Sequence, residues 1–168
     1  METAAESTSI EVSAESRVLV HDSSKCTACT TCMIACSMKH FGVADYEKSF
    51  IKIIFNPIVK AFEAAYCHHC DEPYCLNICP VNAIYKDKLP DGTVIVRIST
   101  LKCIGCGSCR LACPMSIPHE DPVMRVAVKC DLCDGDPECV KVCPTQALRF
   151  VPREEVTDKL IKTYQVIR

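Results

Sequence analysis

Cysteine carries the chemistry of this chain: sixteen of its 168 residues are cysteine, in four groups of four with none left over. The first group is Cys26, Cys29, Cys32 and Cys36, spaced C-x2-C-x2-C-x3-C. The second is Cys67, Cys70, Cys75 and Cys79, spaced C-x2-C-x4-C-x3-C and followed by Pro80. The third, Cys103, Cys106, Cys109 and Cys113, repeats the first spacing and is followed by Pro114. The fourth, Cys130, Cys133, Cys139 and Cys143, is C-x2-C-x5-C-x3-C with Pro144 behind it. Thiolate sulfur is a soft ligand suited to iron, zinc and copper(I). Three thiolates in one short loop can wrap three corners of a cubic metal–sulfide core. The fourth, three residues further on, starts a helical turn and points elsewhere.

In two-cluster ferredoxins that fourth cysteine ligates the other cluster. Four complete sets therefore predict four [4Fe-4S] clusters, with no group degraded to three irons. Structural zinc sites use paired knuckles separated by a long spacer, and four successive groups with a cysteine always at x3 do not follow that scheme. A disulfide framework needs an oxidising compartment. The acidic, polar start Met-Glu-Thr-Ala-Ala-Glu-Ser shows no basic n-region, apolar h-region or twin arginine, so the expected location is the cytoplasm, unless the subunit is exported on a partner that carries the signal.

The formal charge is −2, with Lys and Arg scattered along the chain, which argues against a nucleic-acid protein. Each cluster with its four thiolates carries about −2, so four would add about −8 and make an acidic object suited to partners with basic docking surfaces. No apolar run reaches the roughly 18 to 20 residues of a membrane span, and a transmembrane segment is not expected.

The elements that must position these ligands are short. Asp91-Gly92 between the apolar runs around Ala83–Tyr85 and Thr93–Ile98 predicts a hairpin. Residues 66–118 then read as one ferredoxin-like unit carrying groups two and three. Group one follows a strand at Arg17–Val20 and precedes a helix near Thr31–His40 and a strand near Phe50–Phe55. Group four lies between strands at Val123–Val128 and Gln146–Val151. Each of these outer groups is half a ferredoxin. The economical solution pairs them across the central unit, giving an outer unit of residues 17–65 plus 119–151; serial pairing of groups one with two and three with four stays open. The fold class is α+β, two bacterial-type ferredoxin units with one inserted in the other. Under nested pairing Cys26, Cys29, Cys32 and Cys143 hold cluster 1, and Cys36, Cys130, Cys133 and Cys139 hold cluster 2. Cys67, Cys70, Cys75 and Cys113 hold cluster 3, and Cys79, Cys103, Cys106 and Cys109 hold cluster 4. Residues 1–16 read as a mobile tail. Residues 152–168, with Val156, Leu160, Ile161 and Tyr164 at helical spacing, read as a helical tail, packed on the carrier or docking another subunit. So short a chain buries little apolar core, so the clusters act as cores and the apoprotein is not expected to fold.

Outside the ligands, His69 is placed to donate a hydrogen bond to cluster sulfur and raise its potential, the alternative being that His68 and His69 are loop residues at a subunit contact. His40 and His119 read as surface or capping residues. Gly105 and Gly107 let the backbone wrap closely. Lys25, Lys102 and Lys129 each precede a group and read as a solvated face, with partial offset of cluster charge as a lesser role. There is no nucleotide fingerprint, no nucleophile beside a base, and so no catalytic site.

The stretches Cys67-His-His-Cys70-Asp-Glu-Pro-Tyr-Cys75, Lys102-Cys-Ile-Gly-Cys-Gly-Ser-Cys109 and Lys129-Cys-Asp-Leu-Cys133, with Cys143-Pro-Thr-Gln-Ala, resemble the four-cluster iron–sulfur subunits of molybdenum and tungsten pterin oxidoreductases and some hydrogenases. The resemblance spans roughly Arg17 to Val151 and implies nested pairing and a fixed row of clusters. Cys36-Ser-Met-Lys-His40-Phe-Gly42 and Gly135-Asp-Pro-Glu-Cys-Val-Lys-Val-Cys143 look like the small subunits of tungsten enzymes of the aldehyde:ferredoxin oxidoreductase family, including tungsten-type benzoyl-CoA reductase. What this implies is an electron-transfer subunit between a larger catalytic subunit and a second redox partner such as a flavoprotein or ferredoxin. A dimethyl-sulfoxide-reductase-type molybdoenzyme, a hydrogenase or a free polyferredoxin are the alternatives, and a zinc-binding adaptor is the reading from another class. Ser37, where the other groups have proline, departs from the pattern.

Metal analysis separates these classes: four intact sites predict about sixteen iron and sixteen acid-labile sulfide per chain, from four of each per cluster. An iron count near twelve would mean a vacant group, and zinc without sulfide would remove the electron-transfer reading.

Overall fold

The computed structural model describes residues 16–156; the expectations for residues 1–15 and for the apolar positions Leu160, Ile161 and Tyr164 lie outside that range. The first strand, β1 (Arg17–His21), leads through the group-one loop into helix α1 (Thr31–Phe41). Strands β2 (Lys52–Asn56) and β3 (Ala61–Ala65) follow, then a one-turn helix α2 (Tyr74–Asn77) and strands β4 (Ile84–Lys88) and β5 (Val94–Ile98). Helix α3 (Ser108–Ala112), the two-residue strands β6 (His119–Glu120) and β7 (Ala127–Val128), helix α4 (Glu138–Lys141) and strand β8 (Leu148–Pro152) complete the order. All strands pair antiparallel and two by two: β2 with β3, β4 with β5, β6 with β7, and β1 with β8. In the last pair Arg17 faces Pro152 and His21 faces Leu148, so the two ends of the described chain are joined. The helices repeat the scheme, α1 packing on α4 and α2 on α3.

Local chemistry explains most boundaries. Helix α1 stops at Gly42, whose left-handed conformation (φ 69°) lets its N–H return to the Met38 carbonyl. Lys39 and His40 occupy its last turn, where positive charge suits the helix dipole. The β4–β5 turn is held by Asp91, whose carboxylate accepts from the Thr93 N–H and hydroxyl at 3.0 Å each.

Three expectations are corrected. The strand expected at Phe50–Phe55 begins only at Lys52, because the Ser49 hydroxyl bonds the Ile51 carbonyl at 2.7 Å and bends the chain there. Its partner β3 is not expected from the sequence; Ala-Phe-Glu-Ala-Ala lacks the β-branched residues that mark strands. Of Val123–Val128 only Ala127 and Val128 are strand: the Asp121 carboxylate accepts from the Val123 and Met124 N–H groups at 2.8 Å each, turning the chain and leaving Val123 80% exposed.

The apolar core draws on both ends of the chain and on the central hairpin. Ile95, Tyr66, Ile51, Leu132 and Leu148 are buried together with Leu19, Phe50 and Phe150, and Cys32, Cys36 and Cys139 lie in the same cluster. The core is therefore not made of metal sites alone. A smaller cluster unites Ile84, Val96, Cys109 and Ala127.

Ser16 belongs to this fold and not to the tail expected over residues 1–16. It is 1% exposed, its hydroxyl accepts from the Val94 N–H at 3.2 Å and its carbonyl accepts from the Arg153 N–H at 3.0 Å. Beside it, the Arg17 N–H donates to the Thr93 hydroxyl at 3.1 Å and the Tyr66 hydroxyl donates to the Leu19 carbonyl at 3.0 Å. These bonds tie β1 to the central hairpin. Ser16→Ala leaves the Val94 N–H without an acceptor in a dry place, a loss of about 1–3 kcal/mol. It should lower the temperature at which the holoprotein loses its visible absorbance, while Ser24→Ala on the exposed Asp22 turn should not. Equal midpoints for the two variants would contradict this role.

Candidate metal centres

The cysteine loops share a backbone device. In every group the residue before the second cysteine is left-handed: Ala28 (φ 53°), His69 (48°), Gly105 (68°) and Leu132 (57°). Three of the four are not glycine, and such a conformation persists in other residues only where the surroundings impose it. Left-handed residues can turn neighbouring N–H groups to one side, as in the concave nests that hold anionic groups; in group four Leu132, Cys133 and Asp134 are left-handed in succession. At Gly105 a side chain is also sterically excluded, since a Cβ there would lie 2.2 Å from the Arg125 carbonyl oxygen. Behind each Cys-Pro step a second left-handed residue, Asn82, Ser116 or Gln146, closes a turn onto the carbonyl of its group's last cysteine. Group one has Ser37 in place of proline, and there α1 simply continues to Phe41.

These loops bring the cysteines together as follows. Cys26, Cys29, Cys32 and Cys143 line one cavity, with His21 beside them. Cys67, Cys70, Cys75 and Cys113 line a second, and Cys79, Cys103, Cys106 and Cys109 a third. Cys36 lies close enough to raise Cys133 and Cys139, Cys133 raises Cys139, and Cys139 raises Cys130. Cys29, Cys70 and Cys106 are exposed; Cys32, Cys36, Cys109 and Cys139 are buried.

Burial pushes the Cys32 thiol up to about 12, with the charges of Cys29 and Cys143 adding to the effect. Cys75 is likewise pushed up to about 12 by burial and then by Cys67, and Cys133 to about 11, mainly by burial. Cys130 and Cys139 are raised further by the same cause. Thiols so raised can be thiolates at neutral pH only beside positive charge, whereas hydrogen bonds from Thr31 and Ser108 lower the exposed Cys29 and Cys106. Backbone donors are aimed at the sulfurs: Ala83 N–H to Cys79 Sγ at 3.2 Å, Phe50 to Cys36 and Ala127 to Cys103 at 3.3 Å, and Leu132 to Cys130 and Leu148 to Cys143 at 3.5 Å. The donor set is all thiol, each loop has a left-handed residue before its second cysteine, and N–H groups face the sulfurs. These residues fit [4Fe-4S] clusters.

The histidines and lysines depart from expectation. His69 is buried; its Nδ1 accepts the Val96 N–H at 2.9 Å, so the ring proton sits on Nε2, which has no partner among the described residues. That N–H is free for the sulfur hydrogen bond expected of it, and a role for His69 at a surface contact falls away. His21, not singled out by spacing, also has a buried Nε2 without a partner, on the wall of the Cys26–Cys143 cavity. His40 is no surface residue. Its ring stacks on Phe50 at 4.5 Å, and Nε2 lies 3.7 Å from Cys133 Sγ and 3.5 Å from the Asp131 carboxylate. This trio could itself hold a metal ion, but Cys133 already belongs to the fourth cysteine set. His119 also packs on Phe50, at 5.7 Å between ring centres. Lys25 and Lys102 are exposed as expected, but Lys129 is 6% exposed.

Clustered thiol cavities on paired antiparallel strands and one-turn helices define an iron–sulfur electron carrier. A "4Fe-4S dicluster domain" family matches residues 58–153, and a "4Fe-4S binding domain" family matches residues 23–39. The chain belongs to the 4Fe-4S dicluster family, and its sixteen cysteines in two ferredoxin-type domains fit four clusters. It is 36% identical over 153 residues to YsaA of Escherichia coli (strain K12), described as an electron transport protein, covering 83% of this chain and 92% of that one. It is 32% identical over 146 residues to the thiosulfate reductase electron transfer subunit PhsB of Salmonella typhi, covering 79% and 74%. Among solved structures it resembles a chain of the active site complex BamBC of benzoyl coenzyme A reductase, with 22% identity, a TM-score of 0.47, and 89% and 86% coverage. The last likeness is too slight to bear on a partner. Among the described residues no helix is long and apolar enough to cross a membrane.

Proposed function

We propose that this chain is the electron-transfer subunit of an oxidoreductase complex, and that its cysteines ligate four clusters in the nested sets. Cluster 1 takes Cys26, Cys29, Cys32 and Cys143; cluster 2 takes Cys36, Cys130, Cys133 and Cys139. Cluster 3 takes Cys67, Cys70, Cys75 and Cys113; cluster 4 takes Cys79, Cys103, Cys106 and Cys109. The observation that carries this reading is the joining of the chain ends, β1 to β8 and α1 to α4, which puts Cys143 beside group one and Cys36 beside group four. It supports an outer unit from residues 17–65 and 119–151 around an inserted unit of 66–118.

Each cluster, when bound, takes up and releases a single electron at a potential its surroundings set. The chain's own part is to hold the sites in a row. Cys139 feels both Cys36 and Cys32, which supports sets 1 and 2 as neighbours, and Cys130 feels Cys67, which supports sets 2 and 3 as neighbours across the junction. Sets 1 and 4 then form the ends. Each end has an exposed cysteine in the same loop position, Cys29 and Cys106, with a hydroxyl beside it: Thr31 at 3.4 Å and Ser108 at 3.5 Å. An exposed ligand brings each end of the path within reach of a partner surface; Cys70 of set 3 is exposed in the same loop position, while Cys36 and Cys139 of set 2 are buried.

The role of PhsB as electron transfer subunit of a thiosulfate reductase supports a larger catalytic oxidoreductase as partner. The resemblance of the cysteine stretches implies one of the molybdenum or tungsten pterin class, with this chain relaying electrons to or from a second carrier and performing no substrate chemistry. The test uses the complex carrying Cys106→Ser. Turnover with the physiological electron partner should fall at least tenfold, while a small dye that reaches the catalytic subunit directly should drive the reaction at a near-normal rate. Equal loss of both activities, or loss of neither, would contradict a path through cluster 4.

A further inference from the structure

Lys129 is a buried cation at the junction between the two halves of the chain. Its ammonium donates to the Val96 carbonyl of β5 and, at 3.0 Å, to the Cys130 carbonyl. Both partners are neutral. Among the described residues no carboxylate forms an ion pair with it, although Asp131 stands two residues away. A buried charge is tolerated only where opposite charge compensates it. The groups that can do so are sulfur ligands on either side. Lys129 lines the cavity of Cys67, Cys70, Cys75 and Cys113, and it immediately precedes Cys130 of the other half.

The same Val96 peptide fixes a second group. Its N–H is given to His69 Nδ1 at 2.9 Å while its carbonyl receives Lys129. The ammonium is thus held by a central strand, and its place between the halves is set by the fold and not by a flexible side chain in water.

We propose that Lys129 is a shared counter-charge for clusters 2 and 3, raising both reduction potentials so that an electron is held at the junction instead of being expelled from it. Fixed positive charge in a poorly screened site favours the more negative, reduced form of whatever lies beside it. The exposed Lys25 and Lys102, screened by water and salt, do not have this effect on clusters 1 and 4. This inference rests on the ligand sets proposed above.

The test is an EPR-monitored redox titration of the holoprotein. Lys129→Gln keeps N–H donors for the two carbonyls and removes the charge. Two of the four midpoints should fall, each reduced-to-oxidised ratio dropping at least tenfold at fixed potential, about 59 mV for one electron. The other two should stay, and Lys129→Arg and Lys102→Gln should leave all four near their original values. Four unmoved midpoints in Lys129→Gln, four that move together, or an equal shift in Lys102→Gln would overturn the proposal. Should Lys129→Gln lose iron, loss of only two signals, with a full set retained in Lys129→Arg, supports the shared counter-charge. Loss of all four signals, or equal loss in the Arg variant, overturns it. Iron content and signal number in the unaltered protein report separately on the ligand sets.

Discussion

A thiolate removed from water is stable only beside positive charge, and nearly every feature of this molecule answers to that constraint. The buried thiols would otherwise stay protonated, as the raised positions of Cys32, Cys75 and Cys139 show. Holding iron is therefore coupled to holding the fold. The left-handed residues before each second cysteine make sense in the same terms: they cost conformational energy that the surroundings must offset, and at Leu132 the N–H is turned onto Cys130 Sγ. The N–H groups of Ala127 in β7 and Leu148 in β8 bond Cys103 and Cys143, and those of Phe50 and Ala83, just before β2 and β4, bond Cys36 and Cys79. The short strands and the residues leading into them thus supply donors as well as packing.

The second determinant is the closure of the chain on itself. The pairing of β1 with β8 unites the two ends of the described chain, and Ser16, Thr93 and Tyr66 then bolt that pair to the central hairpin. Cysteines far apart in sequence reach one cavity only because this happens. The apolar core straddles the same junction, with Ile95 from the hairpin against Leu19 and Phe150 from the ends. A carrier that must keep fixed distances between redox centres gains from having its halves share a core and not merely touch.

Spacing makes the sixteen ligands and the hairpin at Asp91-Gly92 legible in the sequence, because loop chemistry is local. Pairing the outer groups with each other is the economical reading of the sequence, since each half lacks its complement, and serial pairing stays open there. Environment cannot be read in the same way. Lys129 and Lys102 stand in the same place relative to their cysteine groups, yet one is buried under Val96 and the other is in water; only the long-range packing of β5 decides between them. His40 looks like a helix-end residue until Asp131 and Cys133 are brought to it from the far end of the chain. Strand β3 is silent in the sequence because its alanines carry no strand signal, and its formation depends on Asn56, which accepts from the Ile58 N–H at 3.0 Å and so starts the turn.

The central claim is that ligands from opposite ends of the chain share one cluster. EPR spectra of the reduced Cys26→Ser and Cys143→Ser holoproteins test it most directly. Nested ligation predicts that both substitutions alter the same one of four signals and leave the other three in place. Loss of different signals in the two variants would mean that Cys26 and Cys143 serve separate clusters, and serial pairing would then replace nested pairing.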